Sequence, residues 1–357
     1  MRVRSVGARV ETFGLTRPYT ITFRSIADVE NVVVRIETED GRVGLGAASP
    51  EPHVTGETRE ACRAALRDER LQWLVGQDVR ELPRLARELA QAMPDAPAAR
   101  AAVDIALHDL FGQKLGLPLA DVLGRAHEGL PTSITIGIKP MAETLDEAEE
   151  YVGRGFTTLK VKVGRALEED IARLVRLREK VGPDVRLRAD ANQGYSPQET
   201  LRFFQETAEL ELEFVEQPVA AAAVADLKAM PEAIRRRIAA DESLLDEQDA
   251  LALCAPPPAA GIFNIKLMKC GGIRPALRIA AVAEAAGIEL MWGCMDESRI
   301  SIAGALHAAL ASPATRYLDL DGSLDLARDV VEGGFTIQDG VMRTAGGPGL
   351  GLSEVES

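Results

Sequence analysis

The chain has 357 residues, a net charge of −14 and 46% hydrophobic residues. The acidic balance disfavours nucleic acid as a partner, because phosphates require a basic surface. No apolar run approaches the ~20 residues that span a bilayer, and the first residues lack the apolar core of a signal peptide. The four cysteines fit neither a disulfide scaffold nor a CxxC pair. We therefore expect a cytoplasmic protein that binds neither nucleic acid nor membrane.

The first part of the chain predicts an α+β unit over residues 1–125. Alternating strands come first, with a polar loop around Arg17 and a hairpin turn at Asp40-Gly41, and helical spacing of apolar residues follows. The predicted strands are Arg2–Thr12, Glu30–Glu39 and Arg42–Ala47, and the helical stretches are Glu57–Gln91 and Ala98–Leu115. Strands followed by helices, without a βα repeat, are typical of a separate domain.

From residue 126 to 322, short apolar runs that end in a charged residue recur at nearly constant spacing. The steps from Lys162 to Asp190, Glu216, Asp241 and Lys266 are 28, 26, 25 and 25 residues. Such a step is about one strand plus one crossover helix. We predict a modified TIM barrel, (β/α)7β, in which the carboxyl ends of the strands meet at one rim.

The end of the chain departs from the barrel pattern after its eighth strand. Glycine-rich sequence replaces the expected last helix. We predict that residues 323–357 return to the N-terminal unit and place that unit over the rim as a lid, so that it is a capping domain.

Three strand-end carboxylates, Asp190, Glu216 and Asp241, are predicted to converge at the rim. Three hard oxygen ligands without histidine or cysteine suit one Mg²⁺, or Mn²⁺, rather than zinc. The alternative is that each carboxylate caps the next helix or pairs with a lysine. Their common register, with Lys162 before and Lys266 after them, favours the metal site.

At these motifs the sequence resembles the muconate-lactonizing branch of the enolase superfamily, and within it the dipeptide epimerases. The matching segments are Lys160-Val161-Lys162, Asp190-Ala191-Asn192, Glu216-Gln217-Pro218, Asp241-Glu242-Ser243 and Lys266-Leu267-Met268-Lys269-Cys270-Gly271-Gly272. The resemblance implies an isomerase that binds Mg²⁺ on the three carboxylates and removes the proton α to a substrate carboxylate. It also implies supporting roles for Asn192 and Glu242.

Lys162 and Lys266 are the expected bases. They belong to the second and sixth barrel strands, so they face the substrate carbon from opposite sides. A base must lose its own proton near neutral pH, and a nearby cation disfavours a further positive charge. We therefore expect a depressed pKa for such a lysine.

Asp319-Leu320-Asp321 resembles the Asp-x-Asp segment of dipeptide epimerases. Residues two apart share a face of a strand, so both carboxylates are expected to hold the α-ammonium group of a dipeptide. The alternative is a turn signal before Gly322. The resemblance places Lys160 beside the dipeptide carboxylate and implies epimerisation at the C-terminal residue. It also gives substrate contacts to Thr135, Cys294 and Met295.

The expected substrate carries Lys or Arg, because Asp296 and Glu51 stand where relatives acting on Ala-Glu usually have neutral residues. A carboxylate facing a cationic side chain contributes about 1.5–3 kcal/mol. Arg24 opposes this interpretation, because it resembles an arginine that holds glutamate in L-Ala-D/L-Glu epimerases. One alternative is therefore L-Ala-D/L-Glu specificity. Another is that Asp296 and Glu51 are solvated loop residues.

Other functions remain open at this stage. The same branch includes o-succinylbenzoate synthase, N-acyl amino acid racemase and muconate cycloisomerase, none of whose substrates carries a free α-ammonium group. A non-catalytic binding protein on the same fold is a further alternative. Barrels of this kind often associate, which leaves room for a homo-oligomer.

Overall fold

The computed structural model describes residues 1–20 and 25–355. It begins with an antiparallel three-stranded sheet in the order β1-β2-β3. The strands are β1 Val3–Thr20, β2 Ser25–Thr38 and β3 Val43–Ala48. The predicted turn at Asp40-Gly41 joins β2 to β3, where Gly41 has φ +83°. The polar loop predicted around Arg17 is instead part of β1, because pairing with β2 resumes at Tyr19 after an irregularity.

Six helices follow this sheet, and the predicted helical stretch over 57–91 is broken into several short pieces. Gly76 at φ +83° interrupts it, and the Asp78 side chain caps the next turn. The helices are α1 Pro52–Thr55, α2 Arg59–Ala65, α3 Asp68–Leu71, α4 Leu82–Ala92, α5 Pro97–Leu115 and α6 Leu119–Leu123, with 3₁₀ turns at Gln72–Leu74 and Val79–Glu81. A Cβ at Gly46 would lie 1.7 Å from the Ala102 carbonyl oxygen, so glycine allows α5 to pack directly on β3.

The predicted barrel is confirmed as eight parallel strands in sequential order. The strands are β5 Ile134–Ile136, β6 Thr158–Lys162, β7 Arg186–Asp190, β8 Val215–Glu216, β9 Ile238–Ala240, β10 Ile262–Ile265, β11 Glu289–Gly293 and β12 Thr315–Asp319, after a short strand β4 Leu130–Pro131. The first and last barrel strands meet through a parallel bridge between Thr132 and Leu318, and Ser133 N donates to Leu318 O over 3.0 Å. The ring therefore closes just before β5.

Helices connect the barrel strands and cover the sheet. They are α7 Met141–Gly153, α8 Leu167–Val181, α9 Pro197–Glu206, α10 Val224–Ala229, α11 Glu232–Arg235, α12 Glu247–Cys254, α13 Leu267–Cys270, α14 Ile273–Ala286 and α15 Arg299–Leu310, with a 3₁₀ turn at Ala208–Leu210. Ser196 and Glu199 begin α9 with a reciprocal capping box. In the described chain, no helix is both long and apolar enough to cross a membrane.

The described chain has no helix after β12, and it ends in four short strands. These are β13 Val331–Gly333, β14 Phe335–Gln338, β15 Val341–Thr344 and β16 Leu352–Glu354. The segment contacts the N-terminal elements: Thr16 N donates to Asp325 O over 2.8 Å, and Leu350 N donates to Asp109 Oδ1 on α5 over 2.8 Å. The division of the chain at residues 125 and 322 remains a proposal from the sequence.

Candidate active site

The carboxyl ends of the barrel strands bring the predicted acidic residues to one rim. Asp190 and Glu216 are the last residues of β7 and β8, and Asp241 directly follows β9. All three are at most 1% exposed. The backbone just beyond two of these strands is unusual, because Asn192 and Gln217 have φ values of 40° and 32°. Positive φ in residues other than glycine concentrates at functional sites.

Lysines from neighbouring strands lie among these carboxylates. Lys160 Nζ is 3.3 Å from Asp190 Oδ2 and 3.2 Å from Glu216 Oε2. Lys162 Nζ is 2.6 Å from Asp190 Oδ2, and Lys266 Nζ is 2.7 Å from Asp241 Oδ2. The negative charges of the rim are thus matched by lysine ammonium groups.

In residues 1–20 and 25–355, no three His, Cys, Asp or Glu side chains are grouped so that they hold a metal ion as they stand. Both aspartates contact lysines, Asp190 through Oδ2 with Lys162 and Asp241 through Oδ2 with Lys266. Glu216 Oε2 is nevertheless buried and accepts no hydrogen bond. Its nearest cation is Lys160 Nζ, 3.2 Å away and not aligned for a hydrogen bond. A buried carboxylate oxygen without an aligned hydrogen bond, beside two further carboxylates, offers oxygen ligands that suit Mg²⁺.

The pKa values of the three carboxyl groups show how close their charges are. Burial and the neighbouring Asp190 charge raise the pKa of Glu216 to about 8. Burial also opposes ionisation of Asp190, but Lys162 and Lys160 outweigh it and lower the pKa of that group. Lys266 and Lys269 likewise outweigh burial and lower the pKa of Asp241. Of the three carboxyl groups, Glu216 is therefore the one whose ionisation is disfavoured by burial and the neighbouring negative charge, and a bound cation would favour its ionised form.

Lys162 and Lys266 stand on opposite sides of the ring, on β6 and directly after β10, with the three acidic positions between them in strand order. The expected depression of the pKa of Lys266 depends on a bound cation and stays a prediction. Burial disfavours its charged form, but Asp241 and Glu216 outweigh burial and raise its pKa. A divalent cation on these carboxylates would offset the charges that raise it.

The two predicted supporting residues contact each other and the rim. Asn192 Oδ1 accepts from Lys162 Nζ over 3.0 Å, and Asn192 Nδ2 donates to Glu242 Oε1 over 3.2 Å. Burial and the Asp241 charge raise the pKa of Glu242 to about 7. Asn192 therefore helps to position the Lys162 ammonium group.

Two residues of the site were missed by sequence reasoning. Asn264 Nδ2 donates to Glu216 Oε1 over 2.7 Å, and Lys269 Nζ donates to Asp241 O over 2.6 Å and to Asn264 O over 3.0 Å. Asn264 lies two residues before Lys266 and so shares its face of the strand, which is a signal that the sequence carried. Nothing in the spacing of Lys269 indicated that it would bond Asp241.

The Asp-x-Asp segment lies at the end of β12, and its two carboxylates differ. Asp319 accepts hydrogen bonds from Lys160 and, over 2.6 Å, from Ser133 Oγ. Thr135 N donates to Asp321 Oδ2 over 2.7 Å. Lys160 outweighs burial and lowers the pKa of Asp319, whereas burial and the Asp319 charge raise the pKa of Asp321 to about 7. Both carboxylates line the cleft above the rim.

The predicted contacts at the mouth of the cleft come from two sides. Glu51 caps α1 on the lid, Asp296 follows β11, and both line the cleft together with Met295. Ser49 Oγ donates to Asp296 O over 3.0 Å, which ties the lid to the barrel loop. Cys294, also in this lining, donates through Sγ to Asp319 O over 3.2 Å. Arg24 lies outside the described residues.

Comparison with known proteins assigns the family. Residues 5–124 match the N-terminal domain model of mandelate racemase / muconate lactonizing enzyme, and residues 143–356 match the enolase C-terminal domain-like model. The chain belongs to the mandelate racemase / muconate lactonizing enzyme family of the enolase superfamily. These matches confirm the predicted membership in the enolase superfamily and the predicted fold.

Within this family, two relatives of the chain are L-Lys-D/L-Arg epimerases. An L-Lys-D/L-Arg epimerase of Methylococcus capsulatus is 62% identical over 352 residues, which covers 99% of both chains. An L-Lys-D/L-Arg epimerase of Desulforapulum autotrophicum is 55% identical and covers 99% of this chain and 100% of the relative. A crystal structure of the Methylococcus capsulatus dipeptide epimerase with Mg and the dipeptide L-Arg-D-Lys superposes with a TM-score of 0.98, at 62% identity and 99% coverage of both chains.

Proposed function

We propose that this member of the family is a Mg²⁺-dependent dipeptide epimerase that inverts the α-carbon of the C-terminal residue and favours dipeptides with Lys or Arg. The observation that carries the proposal is the opposition of Lys162 and Lys266 across the ring, with three buried carboxylates between them. The activity of the two curated relatives and the Mg and dipeptide in the similar crystal structure support it.

Asp190, Glu216 and Asp241 would hold the Mg²⁺. A bound divalent cation supplies Lewis-acid stabilisation of negative charge on the substrate carboxylate during proton removal. Glu216 Oε2 accepts no hydrogen bond, and burial and Asp190 raise the pKa of Glu216; both observations fit a cation at this position.

The two lysines perform the proton transfer. One lysine, as the neutral amine, takes the α-proton from one face of the carbon, and the other, as the ammonium, returns a proton to the opposite face. One C–H bond breaks and one forms, so the net change is inversion of the carbon. Asn192 holds Lys162 on its side of the ring, and Asp241 holds Lys266 on the other.

The remaining polar groups orient the dipeptide. Asp319 and Asp321 offer two carboxylates to its α-ammonium group, and the hydrogen bonds from Ser133 and Thr135 fix them in place. Lys160 carries positive charge at the centre of the acidic rim, where it can contact the dipeptide carboxylate. A substrate without a free ammonium group would leave Asp321 without a charged partner, which disfavours the N-acyl and cycloisomerase alternatives.

The preference for cationic dipeptides follows from Glu51 and Asp296 at the mouth. A carboxylate that faces a cationic side chain through a charge-assisted hydrogen bond contributes about 1.5–3 kcal/mol, or about ten- to a hundredfold in specificity. The same charges repel the side chain of glutamate.

Steady-state kinetics on L-Lys-L-Arg and L-Ala-L-Glu tests the proposal. We expect the parent to prefer L-Lys-L-Arg, and Asp296→Leu to shrink that preference. A parent that prefers L-Ala-L-Glu would establish the alternative L-Ala-D/L-Glu specificity. A variant that keeps the parental ranking unchanged would remove the role of Asp296.

A cytoplasmic location and a homo-oligomeric state remain further proposals from composition and fold type.

A further inference from the structure

A carboxylate that the sequence did not single out lines the same cleft. Asp325 lies four residues after Asp321 in the segment that follows β12, and Leu324 N donates to Asp321 O over 2.8 Å. Its own backbone oxygen accepts from Thr16 N over 2.8 Å and from Thr16 Oγ1 over 3.1 Å. Strand β1 of the N-terminal sheet therefore holds Asp325 against the cleft.

The side chain of Asp325 is half-buried. Among residues 1–20 and 25–355, none donates a hydrogen bond to its carboxylate or forms an ion pair with it. Burial disfavours its charge more than nearby Arg17 favours it, so the pKa of Asp325 is raised. An incompletely solvated carboxylate without a donor is costly until a cation or donor approaches it.

The cations nearest to Asp325 are already held by other acids. Arg17 Nη2 bonds both carboxylate oxygens of Glu150, over 2.8 Å and 2.7 Å, and Lys139 pairs with Glu147. Arg17 and Lys139 both line the cleft, yet each is held by a glutamate on α7. Arg154, whose charge also acts on Asp325, pairs with Glu150 as well, so no cation of the described residues forms an ion pair with Asp325.

We propose that Asp325 is a specificity-determining residue that binds the cationic side chain of the N-terminal residue of the dipeptide. This inference rests on the proposed function, which places the α-ammonium group of that same residue at Asp319 and Asp321. Because one short segment carries all three carboxylates, a Lys or Arg side chain that begins beside Asp321 has Asp325 within the same cleft wall.

Asp325 belongs to a different segment from Glu51 and Asp296, the two mouth carboxylates that the sequence indicated. Glu51 belongs to the lid and Asp296 to the loop after β11, and Asp296 is tied through its carbonyl oxygen to Ser49. Asp325 lies in the segment after β12, the strand that pairs with β11. The cleft thus offers carboxylates on three different segments to a dipeptide with two cationic side chains.

The test is kinetics of the Mg²⁺-loaded parent and Asp325→Asn with L-Lys-L-Arg and L-Ala-L-Arg. These dipeptides differ only in the N-terminal side chain. For L-Lys-L-Arg we expect kcat/KM to fall by about 10- to 100-fold in the variant, mainly through KM, because a ground-state contact is lost. For L-Ala-L-Arg we expect little change. Glu332→Gln, an exposed carboxylate on β13, is the matched control and should leave both values unchanged.

The outcomes separate the inference from the function on which it rests. An equal loss on both dipeptides would mean that Asp325 serves the fold, and unchanged kinetics on L-Lys-L-Arg would mean that it does not contact the side chain. Either result overturns the inference while the parent remains an epimerase. A parent that epimerises neither dipeptide would overturn the proposed function as well.

Discussion

Asn264→Leu is expected to weaken Mg²⁺ binding without unfolding the chain. Asn264 is fully buried on β10, and its amide is the one hydrogen-bond donor to Glu216 within the described chain, over 2.7 Å. Leucine keeps a side chain of similar size but removes the donor. Glu216 would then accept no hydrogen bond and would keep only the ion pair between its Oε2 and Lys160.

The magnitude follows from that single bond. A hydrogen bond to a charged group contributes about 1.5–3 kcal/mol, which corresponds to about a 10- to 100-fold increase in Kd. This agrees with the loss of affinity that is usual when a residue supporting a metal ligand is removed. Because Asn264 is uncharged, the expected increase in the Kd for Mg²⁺ comes from the lost orientation of Glu216.

Titration calorimetry with MgCl2 on the metal-free protein measures the change. Gln113→Leu is the matched control, because it removes an amide that donates to Val43 O in the N-terminal unit, far in the chain from the rim. A thermal unfolding scan confirms that each variant is folded. A folded Asn264→Leu protein with the parental Kd would refute the assignment of Glu216 as an oriented metal ligand.

Two further predictions concern the bases and the ammonium site. Lys162→Ala and Lys266→Ala should each stop epimerisation yet still exchange the α-proton of one diastereomer with D2O, and full epimerase activity in either variant contradicts two-base transfer. With saturating Mg²⁺, kcat/KM for a dipeptide should fall by about tenfold per pH unit below about pH 7, because Asp321, whose pKa burial and Asp319 raise to about 7, becomes neutral and no longer attracts the ammonium group. Asp321→Asn should lower activity at pH 8 and flatten this slope; an unchanged slope would assign it to another group.

The barrel and its acidic rim could be predicted because their signals are local and periodic. Each strand carries its charged residue at its end, and the near-constant steps from Lys162 to Lys266 fix where the crossovers fall. The structure places Asp190, Glu216 and Asp241 at the carboxyl ends of three successive strands for this reason. The helical stretch over 57–91 was predicted less well, since its breaks depend on a left-handed glycine and short 3₁₀ turns.

The missed features depend on contacts between distant parts of the chain. Lys269 bonds Asp241 across 28 positions, and the position of Asp325 in the cleft depends on Thr16, which lies 309 positions away. The effect of Asp241 and Glu216, which raise the pKa of Lys266, was also beyond the sequence, because it depends on how closely these carboxylates approach the ammonium group. Spacing predicts which residues meet at a rim, but not which side chains then pair.

The most direct test of the central claim is incubation of the Mg²⁺-loaded protein with L-Lys-L-Arg in D2O, followed by mass spectrometry and chiral analysis of the dipeptide. Two-base epimerisation between Lys162 and Lys266 predicts that L-Lys-D-Arg appears and that the inverted product carries one deuterium at the α-carbon of arginine. Inversion without deuterium, or recovery of L-Lys-L-Arg unchanged in mass and configuration, would contradict the account.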